Sequence, residues 1–199
     1  GTYAAMLGEA DHGTSWGDYY FSEALQRLST QAVRAAGPDR YKTAVRVSQT
    51  SFEAADTVVI AGGRTYADAL SASGLAGLLD APVLLTHQAS LPPEVATEIR
   101  RLGATRVIIV GGVAAVSEAV EYALGALPGV SPQRIAGPDR YSTSARVAEV
   151  VVADVGYAGE IFLVRGDEFA DALSIASVAY SQASPVLLTS RTTLGAPAA

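Results

Sequence analysis

The sequence predicts an α/β protein built from tandem strand–helix repeats. In it, small parallel sheets are covered by helices in Rossmann-like layers, behind an N-terminal helical tail. Three observations predict it. Ala36-Gly-Pro-Asp-Arg-Tyr-Lys-Thr-Ala-Val-Arg-Val47 returns 100 residues later as Ala136-Gly-Pro-Asp-Arg-Tyr-Ser-Thr-Ser-Ala-Arg-Val147, with nine of 12 positions identical. Tyr66-Ala-Asp-Ala-Leu-Ser71 and Ala81-Pro-Val-Leu-Leu-Thr86 return as Phe169-Ala-Asp-Ala-Leu-Ser174 and Ser184-Pro-Val-Leu-Leu-Thr189, now at an offset of 103. Between these blocks, short continuous apolar runs alternate with stretches of helical period, the pattern of parallel strands covered on both faces.

The elements follow in order. The first 33 residues belong to neither repeat, and Trp16–Leu28 reads as a turn followed by an amphipathic helix. In the first repeat, Pro38 and Asp39 open a helix whose inner face is Tyr41, Ala44, Val45, Ser48 and Phe52. Val58–Ala61, Val83–Thr86 and Val107–Val110 are strands. Leu70, Ser73, Gly74 and Gly77 form a small-residue helix face, read as the contact that lets this helix approach its sheet closely. Pro92-Pro93 opens a further helix ending near Gly103, and Ser117 is placed to N-cap another. The second repeat stops after Thr189, before a counterpart of Val107–Gly112. One edge of its sheet is therefore expected to be unpaired or covered by the first repeat, and to promote self-association. The three extra residues of the second repeat are expected in the loop around Val155–Glu160. The chain is accordingly divided into residues 1–33, a complete repeat at 34–133 and a truncated one at 134–199. Gly1 at the start and Gly195-Ala-Pro-Ala-Ala199 at the end suggest a piece of a longer polypeptide.

Composition narrows the function. The 199 residues include no cysteine, 14 Lys+Arg, 20 Asp+Glu and a formal net charge of −6. A thiolate metal site or nucleophile is excluded, and the charge disfavours nucleic acid as a partner. No apolar run approaches the roughly 20 residues of a membrane span. His12 and His87 lie in unrelated contexts, so no metal centre is expected, and no serine sits in a G-x-S-x-G elbow. The Gly62-Gly63 and Gly111-Gly112 pairs follow strands but fit neither dinucleotide nor P-loop patterns. Catalytic residues and cofactors are therefore none.

The charged residues of the repeats carry two readings. Asp39 and Asp139 are expected to cap helices, and Asp68 and Asp171 to sit in first helical turns, where a carboxylate favours the helix dipole. Arg40 and Arg140 are read either as partners of Asp68 and Asp171 at a strand-to-helix corner or as direct contacts to an anionic ligand. Lys42 and Arg46, with Arg146 in the second repeat, lie further along the same helices as candidate ligand contacts. The Pro-Val-Leu-Leu-Thr segments read as buried strands whose threonines end where open α/β sheets place ligands.

These blocks, Gly-Pro-Asp-Arg-Tyr-x-Thr, Phe/Tyr-Ala-Asp-Ala-Leu-Ser, Pro-Val-Leu-Leu-Thr and Val-Ile-Ile-Val-Gly-Gly, resemble the cell wall-binding repeat 2 family over residues 34–199. The resemblance implies a non-catalytic module of a secreted, wall-associated Gram-positive protein, anchored non-covalently to anionic wall polymers. Family members usually carry three copies about a pseudo-threefold axis, which one complete and one truncated copy cannot form. It also implies anchoring through Val83, Leu84 and Leu85 and through Val186, Leu187 and Leu188, where Val83 and Val186 replace an isoleucine. Thr14–Leu28 resembles the carboxyl-terminal end of unsaturated glucuronyl hydrolases, glycoside hydrolase family 88. That likeness implies the alternative, a fragment of a wall-associated polysaccharide-degrading enzyme.

Overall fold

Thirteen elements follow one another in a computed structural model that describes residues 34–153, 157 and 159–191, with the side chains of Phe169 and Asp171 left out. The first repeat contributes α1 (Arg40–Ser51), β1 (Thr57–Gly62), α2 (Ala67–Ser71), α3 (Ser73–Leu78), β2 (Val83–Thr86), α4 (Pro93–Leu102), β3 (Arg106–Val110) and α5 (Glu118–Gly125). Then come β4 (Ser131–Ile135), α6 (Arg140–Val152), β5 (Phe162–Arg165), α7 (Phe169–Gln182) and β6 (Val186–Thr189). The expected tail and the termini of the sequence lie outside the described residues.

All strands pair in parallel, in a four-stranded sheet of order β2-β1-β3-β4 and a two-stranded sheet of β5 and β6. The boundary expected between residues 133 and 134 thus falls inside β4, which completes the first repeat's sheet. The two repeats match at the level of register. Val59 pairs with Val83 and Gly62 with Thr86 in the first sheet; Phe162 pairs with Val186 and Arg165 with Thr189 in the second. Each pair is its counterpart displaced by 103 residues. The inserted residues fall between α6 and β5, a loop only partly described.

Capping explains the helix starts. Asp39 Oδ1 accepts from the Lys42 amide at 2.8 Å, and Asp139 Oδ1 from the Ser142 amide at 2.7 Å. At the end of α4, Gly103 takes φ 72°, a left-handed turn that glycine adopts without strain. Ser117 stands at the start of α5 as expected but makes no capping bond; its hydroxyl is buried without a partner.

Two apolar layers cover the larger sheet. On one face α1, α4 and α5 bring Val45, Val95, Ile99, Leu102, Val120 and Leu124 onto Val58, Ile60, Val107 and Ile109. There the fully buried Glu98 carboxylate accepts from Ser48 Oγ at 2.6 Å and from Arg101 Nε and Nη2 at 2.8 and 2.7 Å. Burial raises its pKa, but the bonds from Arg101, Ser48 and Gln49 outweigh this and hold it below the usual carboxylate range. The charge ties α1 to α4.

On the other face, Leu75 and Ala76 of the first repeat pack beside Val147 and Val151 of the second. Helix α6 therefore serves two sheets. Val147 and Val151 complete the core under β1 and β3, while Ser144 Oγ accepts the buried Leu188 amide of β6 at 3.0 Å. Its counterpart α1 covers one sheet among the described residues, and Val47, equivalent to the fully buried Val147, is 46% exposed.

The small face of α3 has a different job from the one expected. A Cβ on Gly74 would run into the backbone carbonyl of Ser184, and one on Gly77 into that of Tyr180. These glycines admit α7 and the start of β6 from the second repeat, not the helix's own sheet. Gly74→Ala should therefore destabilise the protein by about 1–3 kcal/mol, the range for overpacking a tight contact. Chemical denaturation checks this: an unchanged midpoint would mean that the two repeats do not approach this closely.

Candidate functional site

The carboxyl ends of β1 and β3 and the amino end of α6 meet around a cleft between the repeats. Its volume is about 390 Å³, and Gly62, Arg64, Asp68, Gly112, Gly137 and Arg140 are among its lining residues. Asp68 reaches it from the first turn of α2, yet α2 is preceded by Tyr66 and receives no side-chain cap. Asp68 thus stands in the first helical turn as expected, without making a capping bond. Its side chain rests against Gly111, whose φ of 115° and missing Cβ leave the room. Asp68 is 8% exposed, and burial raises its pKa while the positive field of Arg140 offsets part of the effect.

The pairing of Arg40 with Asp68 is corrected. Arg40 Nη1 donates to the Gly63 carbonyl at 2.6 Å, and Arg140 Nη1 to the Gly166 carbonyl at 2.7 Å. Each arginine satisfies the orphan carbonyl of the glycine that follows its own repeat's first strand. Across the cleft Asp68 feels the positive field of Arg140, with no contact ion pair among the described residues. A third arginine repeats the device, Arg134 Nη1 binding the Gly111 carbonyl at 2.7 Å while its Nη2 holds Glu121 at 2.7 Å. The Asp171 carboxylate lies outside the described side chains.

The other candidates separate by exposure. Lys42 is exposed but shared between Asp39 at 3.6 Å and Glu94 at 3.9 Å. Arg46 is exposed and makes no ion pair with the described residues; Arg146, also exposed, donates to the carbonyl of Ala136. In the Pro-Val-Leu-Leu-Thr strands, Leu84, Val186 and Leu188 are buried in the cores, and Val83, Leu85 and Leu187 are half-buried. Thr86 is fully buried, its hydroxyl turned to the carbonyls of His87 and Ser90. These strands build the scaffold behind the cleft. Leu84, Val186 and Leu188 have no surface to offer a polymer.

Sequence reasoning missed Arg64, whose repeat counterpart is Asp167, so recurrence did not mark it. It also missed the Glu98–Arg101 pair, for which the i, i+3 spacing on a helix was the available signal. Among the described residues, no group of three or more His, Asp or Glu is placed to hold a metal ion, and no helix is long and apolar enough to cross a membrane.

Comparison with known proteins places this geometry. A family model described as cell wall binding domain 2 (CWB2) matches residues 34–121 and again 134–199. The chain is 38% identical over 161 residues to N-acetylmuramoyl-L-alanine amidase LytC of Bacillus subtilis, covering 81% of this chain and 32% of that protein. It is 33% identical over 158 residues to the amidase enhancer of the same organism, covering 79% and 22% respectively. The chain thus spans a third or less of either relative. Among solved structures, Cwp8 from Clostridium difficile superposes with a TM-score of 0.77 at 32% identity, covering 91% of this chain and 31% of that one. Cwp6 from the same organism gives 0.74 at 28% identity, covering 84% and 28%. The family match starts at residue 34, and none of these comparisons shows the likeness of Thr14–Leu28 to glucuronyl hydrolases.

The position of Asp68 makes a prediction about stability. A carboxyl group whose folded-state pKa is raised disfavours the folded state once pH exceeds the ordinary aspartate range, and has no such effect when both states are protonated. Asp68→Asn should therefore stabilise the protein at neutral pH by about 1 kcal/mol, from relief of a buried charge without a hydrogen bond. The gain should vanish in acid below the usual aspartate pKa. Thermal melts across pH check it; a neutral-pH loss would show a stabilising ion pair instead.

Proposed function

Since the chain belongs to the cell wall binding domain 2 family, we propose that it binds the anionic polymers of a Gram-positive wall and so holds a secreted protein non-covalently at the cell surface. The binding module itself is the part that membership establishes. The supporting observation for an anionic ligand is the recurrence of outward guanidinium groups, Arg40 and Arg46 on α1 and Arg140 and Arg146 on α6. All four residues are exposed and lie within the first two turns of two equivalent helices. With a net charge of −6, attraction of a polyanion must be local to these helices and strongly screened by salt. The module is read as non-catalytic, its neighbours in the parent polypeptide supplying any enzymatic activity.

Co-sedimentation with purified walls tests the proposal. The chain should sediment with walls that retain their anionic polymers, release with rising salt, and remain soluble with walls stripped of them. Lys42→Ala combined with Arg46→Ala should weaken sedimentation several-fold with little change in melting temperature, because both side chains are exposed. Equal binding to stripped walls would contradict an anionic ligand.

Self-association is part of the same proposal. Strand β5 has a partner on one edge among the described residues, and Ile161, Leu163 and Leu173 are 47%, 59% and 58% exposed. Their first-repeat counterparts Val58 and Ile60, equivalent to Ile161 and Leu163, are fully buried. An open strand edge beside apolar side chains favours pairing with a second copy of the chain. Sedimentation equilibrium should show concentration-dependent association that Leu163→Lys reduces. A monomer at high micromolar concentration would oppose it.

A further inference from the structure

The polymer reading leaves one group unexplained. Asp68 is more than nine-tenths buried and faces the inter-repeat cleft, yet its carboxylate accepts no hydrogen bond from the described residues and forms no contact ion pair. It is not among the described side-chain oxygens sealed from solvent without a partner, because it opens onto the cleft, and a donor can reach it from there. The missing donor has room: the cleft of about 390 Å³ lies within the size range of small-ligand pockets. Cations flank it. Arg64 has no ion-pair partner among the described residues, and Arg140 spends one of its five N–H donors on the Gly166 carbonyl. Glycines at 62, 112 and 137 leave parts of the wall without side chains.

Asp139 also lines the cleft, but its Oδ1 is taken up by the Ser142 amide; the Asp68 carboxylate beside two guanidinium groups suits a ligand that presents a hydroxyl next to an anion. We propose that this cleft seats one unit of the wall polymer, a sugar or polyol hydroxyl donating to the Asp68 carboxylate while the adjoining phosphate or carboxylate is held by Arg64 and Arg140. The proposal rests on the reading of the chain as a binder of anionic wall polymer and assigns the residues that read the unit. The exposed arginines on α1 and α6 attract any polyanion; Asp68 rejects a bare one by repulsion and accepts one carrying a hydroxyl. Recognition then depends on both repeats at once, because Arg64 and Asp68 come from the first and Arg140 from the second.

Amide-detected NMR titration of the whole chain tests this with three probes: sn-glycerol 3-phosphate, glucuronate and inorganic phosphate. Glycerol phosphate or glucuronate should shift the Thr65, Gly112 and Gly137 amides saturably, and inorganic phosphate should bind at least tenfold more weakly. A response to glycerol phosphate alone assigns a phosphodiester polymer, and one to glucuronate alone a uronate polymer. Asp68→Asn should weaken the responding probe about tenfold and abolish its advantage over inorganic phosphate, while Arg64→Ala should weaken the anion in every probe. The same variants are then sedimented with walls. Loss of wall binding by both supports the cleft as the reading site. If the unaltered chain sediments but both variants sediment equally, or if inorganic phosphate binds as well as the hydroxylated probes, the cleft assignment is overturned. If the unaltered chain fails to sediment with any wall, the polymer reading itself falls.

Discussion

The close approach of the two repeats at Gly74 and Gly77 is the constraint on which the rest depends. With no side chain at either position, α3 lies against the backbone at Ser184 and Tyr180. That contact holds α6 between two sheets. One flank of the helix buries Val147 and Val151 under β1 and β3, and the other meets β6, where Ser144 takes up a buried amide. A helix with apolar partners on both sides joins the repeats into one core. Among the described residues the second sheet has two strands, too few to be stable in isolation, and its shared helix layer supplies the missing burial.

The same approach creates the cleft. Because α6 has its amino end over the carboxyl ends of β1 and β3, its Arg140 acts on Asp68 of the first repeat as well as on Asp139 at its own helix cap. The three arginine-to-glycine carbonyl bonds, from Arg40, Arg134 and Arg140, settle the strand-end turns on either side. Those turns would otherwise leave polar backbone groups unpaired near the cores. The charge arrangement of the candidate site is thus a consequence of packing between repeats, and it needs both of them.

Much of the fold was legible in the residues. The recurrence of Ala-Gly-Pro-Asp-Arg-Tyr marked α1 and α6, and Asp39 and Asp139 cap them as their type and place require. Continuous apolar runs marked the strands because a strand covered on both faces has no polar side to show. The site was less legible. A repeat viewed along the sequence invites pairing of Arg40 with Asp68 inside one copy, whereas Arg40 turns to the Gly63 carbonyl and Asp68 feels the field of Arg140 from the other copy. Gly74 and Gly77 announced a close approach but not what approaches. Arg64 has no like residue at 167, and the raised pKa of Asp68 arises from burial in the folded chain, with its carboxylate against Gly111. Such relations belong to the tertiary arrangement, and local pattern does not encode them.

Native-state hydrogen exchange over α6 and β3 tests the shared helix layer most directly. If α6 belongs to the first sheet's core, its amides around Val147 and Val151 should open with the same free energy as those of Ile108 and Val110, since removing the helix uncovers that face of the sheet. Exchange of α6 together with β5 and β6, while β3 stays fully protected, would contradict it.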